Sequence, residues 1–300
     1  MKFGNQQHAA AALAHSISHF APDTGDYGTA ITALSLHRRN VVTEPVHCIY
    51  PLGIGVVAQG DKEITIGERM FSCSAGQSML TTIDLPVISH VAQATPHKPF
   101  LGLLLLLDVG LITQLVSEMD IPALADDETQ HSFSVAPLDP ALADALNRLI
   151  ALLDEPALIP RLSPLIQQEI MIRLLHGPHT AHLAHLVKCG SSNQKIYRVV
   201  HWLKDNFVQS VRMDELAERA HMSPSTFRQH FRSITGLSPL QYQKQLRLQE
   251  ARHLMVSQHL DAGHAADLVG YESASQFSRE YSRLFGASPQ RDIQRMRQAS

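Results

Sequence analysis

Apolar and polar positions follow two periods along the chain. From about residue 30 to 107 short β-rich runs alternate with punctuation at Gly60-Asp61, Gly67-Glu68 and Ala75-Gly76, which predicts many closely spaced strands and a small barrel or jelly roll. FLGLLLLLDVGLI (100–112) reads as a buried strand running into a helix capped by Asp108. Beyond it the period becomes helical. In LDPALADALNRLIALLD (138–154) Leu142, Leu146, Leu149 and Leu153 stand at i, i+4, i+7 and i+11, a stripe that either packs on the strands or forms a seam between two copies.

Nearer the C-terminus one pattern occurs twice, fifty residues apart. In MSPSTFRQHFRSITGLSP (222–239) Phe227, Phe231 and Ile234 share one helix face, and Ser225, Arg228, Gln229 and Arg232 share another. ESASQFSREYSRLFGASP (272–289) repeats it, with identity at Ser273, Ser275, Phe277, Gly286, Ser288 and Pro289. Ser223 predicts an N-cap, Pro224 the first helical position and Gly236 a left-handed stop. MDELAERA (213–220) predicts a short helix just upstream, and His221 to Ser223 join the pair. Two short helices with donors on the second define a helix-turn-helix, whose second helix enters the major groove.

One such pair could be an ordinary helical hairpin with a solvated face. The second copy changes the balance, because SPLQYQKQLRLQEARHLM (238–255) between them predicts a rod of about 27 Å capped by Ser238, with Leu248, Ala251, Leu254 and Met255 in a stripe. Two recognition helices on one face of DNA stand roughly 34 Å apart, and such a rod supplies the separation.

Charge sharpens this division. Residues 195–300 hold 15 Lys and Arg against 10 Asp and Glu, whereas residues 1–194 hold 10 against 18. The half with the repeat is therefore the basic half, as phosphate contact requires. A chain of 300 residues is long enough for two cores. No apolar run approaches the length of a membrane span, MKFGNQQH lacks the order of an export signal, and Cys48, Cys73 and Cys189 show no paired spacing. The expectation is a reduced cytoplasmic compartment without a membrane partner.

The ending GYESASQFSREYSRLFGASPQRD (270–292) resembles the signature of the AraC/XylS family of transcription regulators, and the similarity runs over about residues 195–298. DAGHAADLVG (261–270) departs from the family pattern in having Ala262 and Ala265 where larger aliphatics are usual. The resemblance implies groove-facing Ser225, Thr226, Arg228, Gln229 and Arg232 in the first unit, and Ala274, Ser275, Ser278 and Arg279 in the second. VVAQGDKEITIG and AGQSMLTTIDLPV are similar to the cupin-like N-terminal domain of a subgroup of that family, which implies a small effector or signal received by the barrel. The expected class is thus α+β, a cupin-like β-barrel with following helices and then an all-α double helix-turn-helix. The expected divisions are a sensor with dimerisation helices at 20–175, a linker at 176–194 and the DNA-binding domain at 195–298. The implied partners are double-stranded promoter DNA, a second copy of the chain through the leucine stripe, RNA polymerase and an unnamed effector, with His47, Cys48 and His90 as candidates to touch it.

The alternative is a metal-dependent cupin enzyme fused to a DNA-targeting domain. Cupin metal sites use a His-x-His pair followed by Glu, and residues 40–110 contain none; His47, His90 and His97 stand alone. His176, His179, His182 and His185 recur every third residue, but Gly177-Pro178 interrupts any helix that would present all four. No nucleophile stands beside a base at motif spacing. The sequence therefore assigns no catalytic residue, metal or cofactor. Cys48 and Cys73 read as small core side chains rather than sensors.

Overall fold

The computed structural model describes residues 2–119, 132–188 and 190–299, with side chains from residue 8 to residue 297; Cys189 lies outside the described residues. Strands β1 (Gly25–Gly28), β2 (Leu34–Arg39), β3 (Val46–Tyr50), β4 (Gly53–Gln59), β5 (Asp61–Ile66), β6 (Arg69–Ser74), β7 (Gln77–Thr81), β8 (Leu85–Gln93), β9 (Phe100–Leu106) and β10 (Phe133–Pro137) form two antiparallel sheets. Their orders are β1-β2-β9-β4-β7-β10 and β3-β8-β5-β6.

The expected barrel is open: β1 and β10 edge one sheet, β3 and β6 edge the other, and no ladder joins the sheets among the described residues. The chain crosses between them at Gly60. Register shifts at Val57/Gln59 and at Asp61/Lys62 bend it on either side. Gly60 itself has φ of 79°, and a Cβ there would stand 2.5 Å from the Gln93 carbonyl oxygen, so no larger residue fits.

An N-terminal helix, α1 (Lys2–Phe20), covers the six-stranded sheet with Leu13 and Ile17 fully buried. Strands β4 and β9 are apolar on both faces because one face meets the opposing sheet and the other meets α1. Helix α2 (Val109–Glu118) starts at Asp108, whose carboxylate accepts from the Leu111 N–H at 3.1 Å. There follow α3 (Pro140–Ala151), a 3-10 turn at Leu152–Asp154, α4 (Ile159–Leu175) and α5 (Thr180–Val187), the last within the stretch expected to be a connector.

The leucine stripe does not form a seam between copies. Leu142, Leu146 and Leu149 are buried within the chain, on an α3 that packs against α1 and α4. The packing lies inside one chain but on helices, not on the strands that the sequence offered as the alternative, because α1, which the sequence reading had not placed, occupies that face. The exposed apolar row lies instead on α4, at Leu158, Leu162, Leu165 and Ile172.

The basic half comprises α6 (Ser192–Asn206), α7 (Met213–Arg219), α8 (Pro224–Thr235), α9 (Pro239–Ser257), α10 (Ala262–Leu268), α11 (Ala274–Phe285) and α12 (Pro289–Ala299). Its two units sit in different cores. Phe227, Phe231, Ile234 and Tyr242 join a cluster that continues into the sheets through Ile64, Ile66, Leu85 and Val87. Phe277 and Tyr281 belong to a separate cluster with Leu248, Ala251, Met255, Ala265 and Ala266. Of the two alanines that depart from the family pattern, Ala265 is fully buried there and Ala262 is partly buried against the same cluster, so close approach of helices fills the space that larger aliphatics would take.

Candidate nucleic-acid interface and effector cavity

Each recognition helix is delimited by the residues that the repeat supplies. Ser223 accepts from the Thr226 N–H, Ser273 accepts from the Gln276 N–H, and Gly236 and Gly286 close the helices at φ of 75° and 73°. The turns before them are built alike: His221 and Gly270 take left-handed backbone two residues past α7 and α10, and the Met222 and Tyr271 N–H groups reach back to Ala217 and Ala266. A Cβ at Gly270 would lie 2.3 Å from the Val208 oxygen, so glycine is required in the second turn.

This geometry separates two faces of each helix. In α8 Phe227, Phe231 and Ile234 are buried, while Ser225, Thr226, Arg228, Gln229 and Arg232 are exposed. In α11 Phe277 and Tyr281 are buried, Ala274, Ser275 and Arg279 are exposed, and Ser278 is half-buried. The residues singled out in sequence therefore lie together along two solvent-facing strips. Arg232 differs from the rest of its strip in leaning toward Glu68 on the β5–β6 turn, 3.7 Å away, with both side chains well exposed.

Helix α9 holds the units in a fixed relation. The Arg247 guanidinium donates to the carbonyl oxygens of Phe207, Val208 and Gln209 before the first unit, and of Gly270 in the turn of the second, at 2.7 to 3.0 Å. Lys244 adds an ion pair of 2.9 Å to Glu280 on α11. At the far end Asp292 receives Arg252 and the Tyr281 hydroxyl.

The first unit is also bonded to the sheets. The Ser132 hydroxyl donates to the Ile234 carbonyl, Tyr242 donates to the Asp84 carbonyl at 2.5 Å, and Lys204 stands 2.7 Å from the Asp84 carboxylate. The turn at Gly67 meets the cap at Gly236 so closely that a Cβ on Gly67 would lie 2.8 Å from the Gly236 oxygen. The second unit touches the sheets through an edge-on contact of His47 with Phe285.

Between the two sheets lies a cavity of about 400 Å³, within the range of small-molecule sites. Cys48 and His90 line it, whereas His47 stands against Phe285 instead. Burial pushes the Cys48 thiol up, against a weaker opposing effect of its Ser89 contact, and pushes Cys73 up to about 12, so neither is a ready thiolate. Lys62 and Tyr50 also line the cavity, and sequence reasoning had missed both. The signal was there: Lys62 shares strand parity with Ile64 and Ile66, which marks an inward face. Among the four spaced histidines, His179 is buried with its two ring nitrogens 2.9 Å from Ser78 and Ser134 hydroxyls, a structural role joining α5 to the sheet.

Two capped recognition helices on a rigid rod define a DNA-binding regulator. The chain matches the AraC-type transcriptional regulator N-terminus over residues 30–182 and a helix-turn-helix domain over residues 216–295, and it belongs to the AraC-type transcriptional regulators. It is 33% identical over 110 residues to the HTH-type transcriptional activator RhaS of Escherichia fergusonii, covering 37% of this chain and 39% of that protein. With RhaS of Yersinia pestis it shares 31% identity over 126 residues, 42% and 43% of the two chains. The chain thus spans about two fifths of the length of these curated relatives. ToxT of Vibrio cholerae O395 shares the fold, with a TM-score of 0.61 at 10% identity over 87% of this chain and 97% of ToxT. These similarities support a regulator and give no support to an enzyme. Among the described residues no helix is long and apolar enough to cross a membrane.

Proposed function

We propose that this regulator reads two successive major grooves of promoter DNA, α8 in one and α11 in the next, and that its sheets receive a small effector in the cavity between them. The observation that carries the reading is the pair of exposed donor strips on helices held in fixed register by Arg247. Arg228 and Arg279 suit bidentate pairing with guanine and Gln229 with adenine, while Ser225, Thr226, Ser275 and Ser278 supply hydroxyls and Ala274 a small apolar contact. Arg232, at the edge of its strip, suits phosphate. The sensor extends to about residue 175 and the DNA-binding half begins near residue 195. Solved structures describe ToxT bound to an unsaturated fatty acid and to (E)-4-(8-methylnaphthalen-1-yl)but-3-enoic acid, which supports an effector role for the same fold here. The protein works in the cytoplasm on its promoter beside RNA polymerase, as a homodimer joined through the α4 row of Leu158, Leu162, Leu165 and Ile172.

The test is a binding selection over randomised duplexes. Arg228→Ala costs about 1–3 kcal/mol at one base position and relaxes the preference there, and Arg279→Ala does the same roughly one helical turn away. Uniform weakening of all sequences by both variants would remove their base-reading role and leave phosphate contact only. For the dimer, Leu162→Glu with Leu165→Glu yields folded monomers by sedimentation; a wild type already monomeric at micromolar concentration overturns that interface.

A further inference from the structure

The cavity between the sheets is lined by a cation, Lys62, that no carboxylate pairs directly among the described residues. The Lys62 ammonium lies 5.1 Å from the centre of the Tyr50 ring and 5.9 Å from that of Phe100. Other charges around it are paired: Asp26 takes two bonds of 2.8 Å from Arg39 and one of 2.7 Å from His37, and His90 stands 3.4 Å from Glu63. Among the described residues no carboxylate forms an ion pair with Lys62. Aromatic faces return only part of the hydration that an enclosed ammonium gives up. Beside it lies the buried Tyr50 hydroxyl, which interacts with Lys62 and Ser89. Burial pushes its ionisation upward, so it stays protonated and can donate. The remaining wall is largely apolar, with Val56, Met79, Phe100 and Leu103 opposite these two donors.

We propose that the cavity binds a small organic monoanion, a carboxylic acid with an aliphatic or aromatic body, whose carboxylate accepts from Lys62 and Tyr50 while the body lies on Met79, Phe100 and Leu103. The proposal rests on reading the cavity as the effector site. One positive charge without a carboxylate partner favours a monoanion over a phosphate dianion, and the apolar wall disfavours a free sugar. Position gives the site a route to the DNA-binding half. Lys62 is on β5, and the end of that strand, Ile66 and Gly67, abuts the Gly236 cap of α8. A ligand that draws Lys62 toward its carboxylate acts on the strand that seats the first recognition helix.

The experiment is calorimetry on the full chain with benzoate, 4-phenylbutanoate and octanoate, each beside its neutral amide, and with inorganic phosphate. At least one acid binds, with its amide and phosphate weaker by roughly ten-fold or more; Lys62→Met loses roughly ten-fold and Tyr50→Phe roughly three-fold. Equal binding of acid and amide, an acid affinity untouched by Lys62→Met, or no acid binding at millimolar concentration each overturn the proposal. If an acid binds through Lys62 and DNA affinity does not change, the anion site stands and the effector reading fails.

Discussion

The first helix-turn-helix unit shares its core with the sheets, whereas the second keeps a core of its own, although α8 and α11 repeat the same pattern of capping and buried aromatic positions. Phe231 meets Tyr242 edge-on at 5.5 Å in an apolar surround that runs into the sheets. Its counterpart Tyr281 carries a hydroxyl because its neighbour is Asp292, to which it donates at 2.7 Å. The same helix pattern thus serves two partners, and one aromatic position shows which partner is present. The N-terminal half therefore meets the first unit through packing and hydrogen bonds, and meets the second through the His47–Phe285 contact.

Core truncation tests this contrast most strongly. Phe227→Ala and Phe277→Ala each cost about 3–5 kcal/mol. Amide exchange should localise the damage of Phe277→Ala to the C-terminal half of α9 and residues 262–299, while that of Phe227→Ala spreads into β5 and β6; equal spreading from both would erase the distinction.

Acid should separate the regions next. Burial, helped by the neighbouring His182, holds His179 down to about 4, against an ordinary value of 6.5. The unfolded chain therefore binds more protons than the folded one between those values, so the stabilisation is present above pH 6.5 and is lost as pH falls toward 4. The full effect is about 3 kcal/mol. Trp202 fluorescence, which reports the shared core, should show urea midpoints falling over this window, and His179→Gln should flatten the profile. An unchanged pH profile in the variant would assign the acid sensitivity elsewhere.

The cap glycines offer a smaller and sharper comparison. Alanine in left-handed backbone costs about 1–2 kcal/mol at Gly286, where nothing lies within 4 Å of the added carbon. Gly236→Ala should cost roughly 1 kcal/mol more, since its Cβ would meet the Gly67 nitrogen at 3.2 Å. Equal losses by chemical denaturation would mean that the Gly67 contact is soft. Least of all, Lys204→Met should change stability by about 1 kcal/mol, because its ammonium is half open to water although the Asp84 carboxylate is mostly buried.

Local chemistry made the C-terminal half legible. Ser223, Ser238, Gly236 and Gly286 act through bonds within a few residues of themselves, so their roles could be read from neighbours in the chain. Asp108 as a cap, and the turns at Gly60, Gly67 and Gly76, were readable for the same reason. What escaped depends on contacts distant in sequence. The leucine stripe of α3 had to be apolar for any partner, and only α1 decides that the partner lies in the same chain. Two sheets rather than a closed barrel follow from bulges flanking Gly60, which strand periodicity does not register. Lys62 reads as a solvated charge until its parity with Ile64 is followed, and its lack of a counter-charge exists only in three dimensions.

The Arg247 clasp gives the spacing of a binding site a meaning of its own. One guanidinium gathers carbonyl oxygens from the approach to the first unit and from the turn of the second, and so ties the two units together. A target with both half-sites intact but one extra base pair between them presents its second half rotated by roughly 35° about the DNA axis. A flexible linker would absorb that rotation; a splinted pair of heads cannot. For this protein the gap between the words is part of the text.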